Sequence, residues 1–486
     1  TPAFDRPVTL SDIMAHAGGF EDYVIELFGD EPEDVRPLGD LLKEQIPARV
    51  RPNGDISSYS NHATGMAAYM VERASGVEWK EYMEGSILEP LGMAHTTFRQ
   101  PLPEELAPHM SKGYRWRSIR FEEQDFEYVP LAPVGAGAAS AEDMARFMIA
   151  HLQLGEYQGQ RILQEETARL MQSDHHRMEP GVNAMAHGFM VQSQNGERII
   201  GHGGDTRLFH TGLWILPEND LGVFVSFNSR EGGGARGPFF DAFMDRYFPV
   251  DEEIAVPPED FGDRAERFTG EYRANRQSHT TIAKIAAVQT TSVSATDRGT
   301  LRALGTEWVE VAPLTFDEKF GDRTMVFREN DYGEITHLFF AHLPILAYEP
   351  VPFRENHIFH ATLAILAGIL MVGTFLAWPL GWAVRRWHGV KLESEGRMPR
   401  AARWTLWLAA TSFLLFAVGL AITLSDPAII TVEITAGLRF VLLIPLVGAL
   451  FTSGAVFFAY RNHRTGTGRK TTRILYTLST VFFCVF

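Results

Sequence analysis

The chain of 486 residues has one cysteine, Cys484, and without a second thiol neither an intrachain disulfide nor a cysteine-rich zinc site can form. Its histidines are more numerous, but His175, His176, His187, His202 and His210 fall into neither a His-x-His-x-Asp-His nor a His-Glu-x-x-His pattern, so no metal is expected. The run Gly232-Gly233-Gly234 is followed by no Gly-Lys-Ser or Gly-Lys-Thr and reads as a loop before a helix at 238–247. No cofactor is expected. Positive charge is also short: 44 Lys and Arg stand against 60 Asp and Glu, a formal charge of −16. No basic face is visible before residue 385, which argues against nucleic acid as a partner.

What is abundant is apolar sequence, unevenly placed. Hydrophobic residues make up 45% of a chain that still carries −16, which suggests a soluble acidic part joined to a very apolar one. The length suggests about three units, predicted at 1–250, 261–352 and 358–486. Segments 358–384, 404–424 and 440–460 each reach the ~20 apolar residues a bilayer crossing needs, and 474–486 begins a fourth, so a lipid bilayer is an expected partner. Trp378, Trp382, Trp387, Trp404 and Trp407 fall near the predicted interfaces. Arg385, Arg386, Lys391, Arg397, Arg400 and Arg403 follow the first segment. Arg461, Arg464, Arg469, Lys470 and Arg473 follow the third, and both groups predict cytoplasmic loops. The stretch 425–438, which lacks Lys and Arg, then faces outward together with everything before residue 358.

The region to about residue 90 reads as mainly helical, with helices at 9–14, 38–50, 63–74 and 79–88. Thr9 or Ser11 caps the first, and Gly18-Gly19 follows it. Between them, Arg51-Pro52-Asn53-Gly54 makes a turn and leads to Tyr59-Ser60-Asn61, a loop docked against a helix start. Tyrosine is a poor base at its free pKa of about 10, but beside a cation its phenolate is favoured and it can take a proton from a serine. Asn61 could orient a substrate carbonyl. An ordinary capped loop fits the tripeptide equally well when it is taken alone.

Small residues at 135–139 precede Ser140, predicted to cap a helix at 144–154 while Asp143 reaches back. Segments 188–192, 198–203, 211–216 and 221–228 alternate as an antiparallel meander, with turns at Asn195-Gly196 and 217–220. Gly201-His202-Gly203-Gly204-Asp205 lies inside it. Glycines in a strand mark a bulge or a close backbone approach, and an edge with bare N–H groups can hold a carbonyl oxygen; a plain strand end is the alternative. After an acidic linker at 249–258, short strands at 268–272, 280–287, 291–295, 308–311, 324–327 and 335–339 predict a small all-β domain.

Several of these stretches together resemble the serine beta-lactamase-like hydrolases, the family of class C beta-lactamases, D-alanyl-D-alanine carboxypeptidases and related esterases. Residues 10–20 resemble its Leu-Leu-Thr-His-Thr-Ser-Gly-Phe segment, Tyr59-Ser60-Asn61 its Tyr-x-Asn motif, and residues 88–93 the segment that commonly follows. Residues 136–143 resemble its Ala-Gly-Gly-x-x-Ser-x-x-Asp loop, and His202-Gly203-Gly204 the form of its Lys-Thr-Gly motif in which histidine replaces lysine. The resemblance covers roughly residues 1–250. It implies an α/β (α+β) beta-lactamase/transpeptidase-like domain with an antiparallel sheet and a helical subdomain. A small all-β lipocalin-like domain, which often trails this family, and an α-helical membrane domain follow.

The chemistry implied is acyl transfer through a serine ester. Tyr59 would take the serine proton, His202 would help hold the phenolate charge, and Asn61 would bind the substrate amide. Gly204 and Asp205 would line the oxyanion strand, with the N–H of Asp205 as one donor. The β-domain is assigned no catalytic residue. The family's Ser-x-x-Lys pair, which supplies nucleophile and lysine, occurs nowhere in the sequence, and an N-terminally truncated fragment with a missing signal peptide or anchor is the expectation. The alternative is a noncatalytic receptor that binds a penicillin or a cell-wall peptide in the same cleft. A small-molecule or peptide substrate is expected in either case, while substrate identity and oligomeric state stay open.

Overall fold

The computed structural model describes residues 4–250, 255–389, 398–425, 431, 432 and 434–485. The chain divides into two compact units, Thr1–Val351 and Pro352–Phe486. Part of the expected linker (251–254), Lys391, Arg397 and residues 426–430 and 433 lie outside the described residues.

In the first unit, the opening helix Leu10–Met14 starts at Thr9, which shares a capping box with Asp12. Helix Leu38–Glu44 is shorter than predicted, because Pro47 disfavours helical geometry at Ile46. Helix Asn61–Ser75 begins where Ser60 Oγ accepts the Ala63 N–H at 3.2 Å and ends at Gly76, φ 72°. Ser140 caps helix Ala141–Leu152 as expected, accepting the Asp143 N–H at 3.1 Å. The predicted return bond from Asp143 is not made. Its buried carboxylate accepts instead from the His95 N–H (2.7 Å) and the Thr96 hydroxyl (2.9 Å), tying the helix start to residues 95–96. With Arg146 Nη1 at 3.2 Å as a third donor, the buried carboxylate is better satisfied there than by one return bond.

Two small hairpins, β1 (Gly113–Arg117) with β2 (Arg120–Gln124) and β3 (Glu156–Tyr157) with β4 (Gln160–Arg161), precede the main sheet. That sheet is the predicted meander in order: β5 (Met190–Gln194), β6 (Glu197–Asp205), β7 (His210–Leu216) and β8 (Leu221–Phe227). Asn195 and Gly196 adopt φ 50° and 78°, the left-handed pair of a tight hairpin turn. Alternation then sorts the side chains. Ile200 and Ile215 pack with Met148 of helix Ala141–Leu152, while Ile199 and Trp214 pack with Phe240 of helix Arg236–Tyr247. Gly201 must be glycine, since a Cβ there would lie 2.2 Å from the Leu213 carbonyl oxygen.

The β-domain is a closed eight-strand barrel: β9 (Gly270–Ala274), β10 (Thr291–Ala295), β11 (Leu301–Ala303), β12 (Thr306–Ala312), β13 (Thr315–Glu318), β14 (Thr324–Glu329), β15 (Ile335–Phe340) and β16 (Tyr348–Pro350). The predicted strand at 280–287 is instead a 3-10 segment, Ile282–Val288. Thr281 starts the turn, its carbonyl accepting the Lys284 N–H and its hydroxyl the Ala283 N–H. β11, β13 and β16 escaped prediction because three or four residues carry too little alternation to read. Trp308, Phe268, Phe316, Phe327 and Phe340 fill the interior.

In the second unit, His357–Trp387, Arg400–Thr423 and Ala436–Thr465 are long and apolar enough to cross a membrane, with mean hydropathies of 2.1, 2.1 and 2.2. The fourth predicted span is the 16-residue helix Lys470–Val485. Helices Arg400–Thr423 and Ala436–Thr465 meet at small residues. A Cβ on Gly448 would lie 2.7 Å from the Phe413 ring, and one on Gly419 2.9 Å from Val441. Pro379 lies inside the first helix and has no N–H for the carbonyl four residues earlier, that of Phe375. Trp407 Nε1 donates to that carbonyl at 3.1 Å instead, as an apolar medium demands.

Candidate active site

The Tyr59 loop is held from three directions. Asn53 is buried and donates through Nδ2 to Pro7 O (3.1 Å) and Asp12 Oδ2 (2.8 Å), which fixes the turn before it. Three successive N–H groups then find acceptors: Ser58 on His16 O (2.8 Å), Tyr59 on Ile345 O (3.1 Å) and Ser60 on His16 Nδ1 (3.3 Å). His16 thus grips both neighbours of Tyr59, and it does so from a left-handed backbone, φ 53°. Its Nδ1 must be unprotonated to accept. Burial first, then the nearby His202 and Arg276, push its pKa down to about 3, so the ring stays neutral.

The middle acceptor, Ile345, comes from the barrel. Buried Asn275, just past β9, adds one more tie, donating to Ser57 O at 2.8 Å while its own Oδ1 accepts the Ala347 N–H at 3.2 Å within the β-domain. Around the Tyr59 ring stand His16 at 4.2 Å and His202 at 5.9 Å between centroids, and the Arg276 guanidinium carbon 4.7 Å from the ring centre. Arg276 Nε lies 3.0 Å from Asp22 Oδ2. Burial raises the Tyr59 pKa above the ordinary phenol value; Arg276 opposes the rise, while Asp22 and Asp205 add to it. Among the described residues the phenol oxygen has no hydrogen-bond partner, and it faces a cleft of about 1550 Å³ that Asn61, His202 and Gly204 also line.

His202 Nδ1 sits 2.5 Å from Gly203 O. A carbonyl only accepts, so Nδ1 carries the proton and Nε2 is left as the acceptor. Burial lowers the His202 pKa, Gly203 O opposes, Arg236 lowers it further and Asp205 raises it. The imidazole is therefore neutral at neutral pH, and among the described residues the permanent cation over the Tyr59 ring is Arg276.

β5 stops at Met190, opposite Gly201, so the β5 side of Gly203, Gly204 and Asp205 has no strand partner among the described residues. Their other side pairs with β7. Arg236 pins this strand end, donating to Thr211 O (2.8 Å), Gly204 O (3.3 Å) and both Asp205 carboxylate oxygens (3.1 and 3.2 Å). Of the small-residue loop, Gly135 lines the cleft, while Gly137 serves packing, its Cβ position lying 3.0 Å from Phe98.

The structure thus brings Tyr59, Asn61, His202, Gly204 and Asp205 to one cleft. Asp22, Arg236, Arg276 and Ile345 were not read from the sequence. Each lies in a stretch with no motif, and two come from the barrel. No group of three or more His, Cys, Asp or Glu able to hold a metal occurs among the described residues.

Residues 1–241 match the Beta-lactamase family model. The chain is 22% identical over 295 residues to Unguisins hydrolase ungD of Aspergillus violaceofuscus, 55% of this chain and 50% of that protein, so it spans about half the length of this relative. The octameric penicillin-binding protein homologue from Pyrococcus abyssi is 19% identical, with a TM-score of 0.42, over 70% of this chain and 78% of that one. A D-stereospecific amidohydrolase from Streptomyces sp. is 19% identical, with a TM-score of 0.41, over 50% and 73%.

Proposed function

The chain belongs to the beta-lactamase family over residues 1–241, and on that footing we propose a membrane-anchored serine hydrolase that forms an acyl-enzyme on an amide or ester. The observation that carries this reading is the phenol of Tyr59, hydrogen-bonded through the backbone at both flanking residues and, among the described residues, left without a partner in a cleft. A general base needs that freedom, since it must reach the proton it removes. Asn61 supplies an amide for the substrate. The uncovered edge of Gly203, Gly204 and Asp205 supplies backbone for the oxyanion. Beta-lactams, D-amino-acid peptides and esters all meet these groups. The barrel fits a lipocalin-like accessory, with an interior of aromatic side chains.

The reading requires an acylatable serine with a lysine three residues on, which the 486 residues do not contain. The test therefore uses the protein translated from its whole reading frame, in detergent or nanodiscs. A fluorophosphonate or penicillin probe is expected to label it covalently, with ester turnover. Reversible probe binding without an acyl adduct under any condition would establish the receptor instead.

The hydrolase is proposed to lie outside the cytoplasm. The basic residues after the first helix, Arg385, Arg386, Arg400 and Arg403, and those after the third, Arg461, Arg464, Arg469, Lys470 and Arg473, argue for cytoplasmic loops there. In a Cys484→Ser background, a cysteine at Ile430 is expected to react with an impermeant maleimide added outside intact cells. Reaction only after the cytoplasm is opened would reverse the orientation.

A further inference from the structure

We propose that Arg276, delivered by the barrel and anchored by Asp22, is a positioning residue whose guanidinium stabilises the Tyr59 phenolate. This rests on Tyr59 being the proton acceptor. The geometry is specific: the guanidinium carbon sits 4.7 Å from the ring centre, and Asp22 forms an ion pair with the group, Oδ2 lying 3.0 Å from Nε. Asp22 is itself buried in the hydrolase part. The barrel's role is thereby more than packing, because it places the charge that the phenol meets.

Among the described residues, the other groups facing Tyr59 do not supply a cation. His16 is buried and uses Nδ1 as an acceptor, and His202 is neutral with Nδ1–H on Gly203 O. Asp22 and Asp205 carry the opposite sign and oppose ionisation of the phenol. Arg236, the remaining guanidinium at this end of the cleft, is committed to Asp205, Gly204 O and Thr211 O. An opposite charge this close favours the ionised form of an acid, commonly by one to three pH units, and a guanidinium keeps its charge at every working pH.

The test reads Tyr59 directly and needs no turnover. With ¹³Cζ-labelled tyrosine and Tyr59→Phe to assign the resonance, the titration of Tyr59 is followed in the full-length protein. Arg276→Met is expected to move it upward by about one pH unit or more, and Arg276→Lys, which keeps the charge, to restore most of the shift. The rising limb of the activity profile, which follows ionisation of the base, should move to higher pH with it. If Arg276→Met folds and Tyr59 titrates as in the parent, the proposal is wrong. A rise in KM confined to carboxylate-bearing substrates, with the titration unmoved, would make Arg276 a substrate ligand and overturn it as well. If Arg276→Met does not fold, Arg276→Gln is titrated in its place: a Tyr59 value displaced upward by about a unit or more supports the proposal, and one near the parent's refutes it. Because the titration is independent of catalysis, an inactive protein with the expected shift would refute the hydrolase reading and leave only the charge coupling of Arg276 to Tyr59 standing.

Discussion

Tyr59→Phe lowers ester or amide turnover by about 100-fold or more, the scale on which a general base contributes, and leaves the fold intact. The substitution removes one oxygen that bonds to nothing among the described residues. The ring keeps its neighbours His16, His202 and Arg276, and the backbone keeps all three N–H bonds of residues 58–60. Stability should therefore change little while kcat falls. The check is steady-state turnover of a chromogenic ester by the full-length protein, with a thermal melt alongside. Normal turnover in Tyr59→Phe would remove Tyr59 as the base. His202→Ala should cost less, because a neutral imidazole offers the phenol no net charge.

Glu21→Ala loosens the barrel from the rest of the unit, by about 3 kcal/mol or more, the sum expected when buried donors to a carboxylate lose their acceptor. Glu21 is almost fully buried and accepts from the Ala48 N–H (3.1 Å), the Thr280 N–H (2.8 Å), the His279 N–H and the Thr280 hydroxyl. Burial alone would raise its pKa, but the bonds from Thr280, His279 and Ala48 outweigh it and hold the carboxyl below the ordinary glutamate value. The sign follows from linkage: its contribution is complete above the unfolded value of about 4.3 and is lost as pH falls through the lower folded value. Hydrogen exchange at Ala48, His279 and Thr280 should accelerate in the variant at neutral pH and in the parent only in strong acid. Unchanged protection in Glu21→Ala would show that other contacts hold the barrel. Activity should fall too, because Asp22 and Arg276 meet at the same seam.

The parts legible in the sequence were those written in short-range chemistry. Ser140 read as a cap and is one, the choice between Thr9 and Ser11 falls to Thr9, and Ser60 is the residue of the Tyr59 loop that caps the helix start; Asn195-Gly196 read as a hairpin turn and is one, and the long apolar runs form long helices. The loop with Tyr59 and Asn61 and the strand with His202 were found because glycine and turn residues mark them. What stayed hidden was set by tertiary contact. Asp143 looked like half of a capping box, but residues 95–96, brought in by the fold, claim its carboxylate. Arg276 follows an unremarkable strand, and only closure of the barrel lays it on Tyr59. His202 looked like a titrating partner for the phenol, and burial, which outweighs the opposing pull of the Gly203 carbonyl, removes that charge.

The pairing of β9 with β16 closes the barrel by joining its first strand to its last. The chain therefore enters and leaves this domain at one seam, the arrangement under which whole modules are inserted or excised without rerouting what flanks them. A lineage that gained the barrel in one event gained Arg276 and the Ile345 carbonyl with it, both already aimed at the loop. One that lost it would surrender both at once, so among descendants the trait should be inherited as a block and not eroded residue by residue.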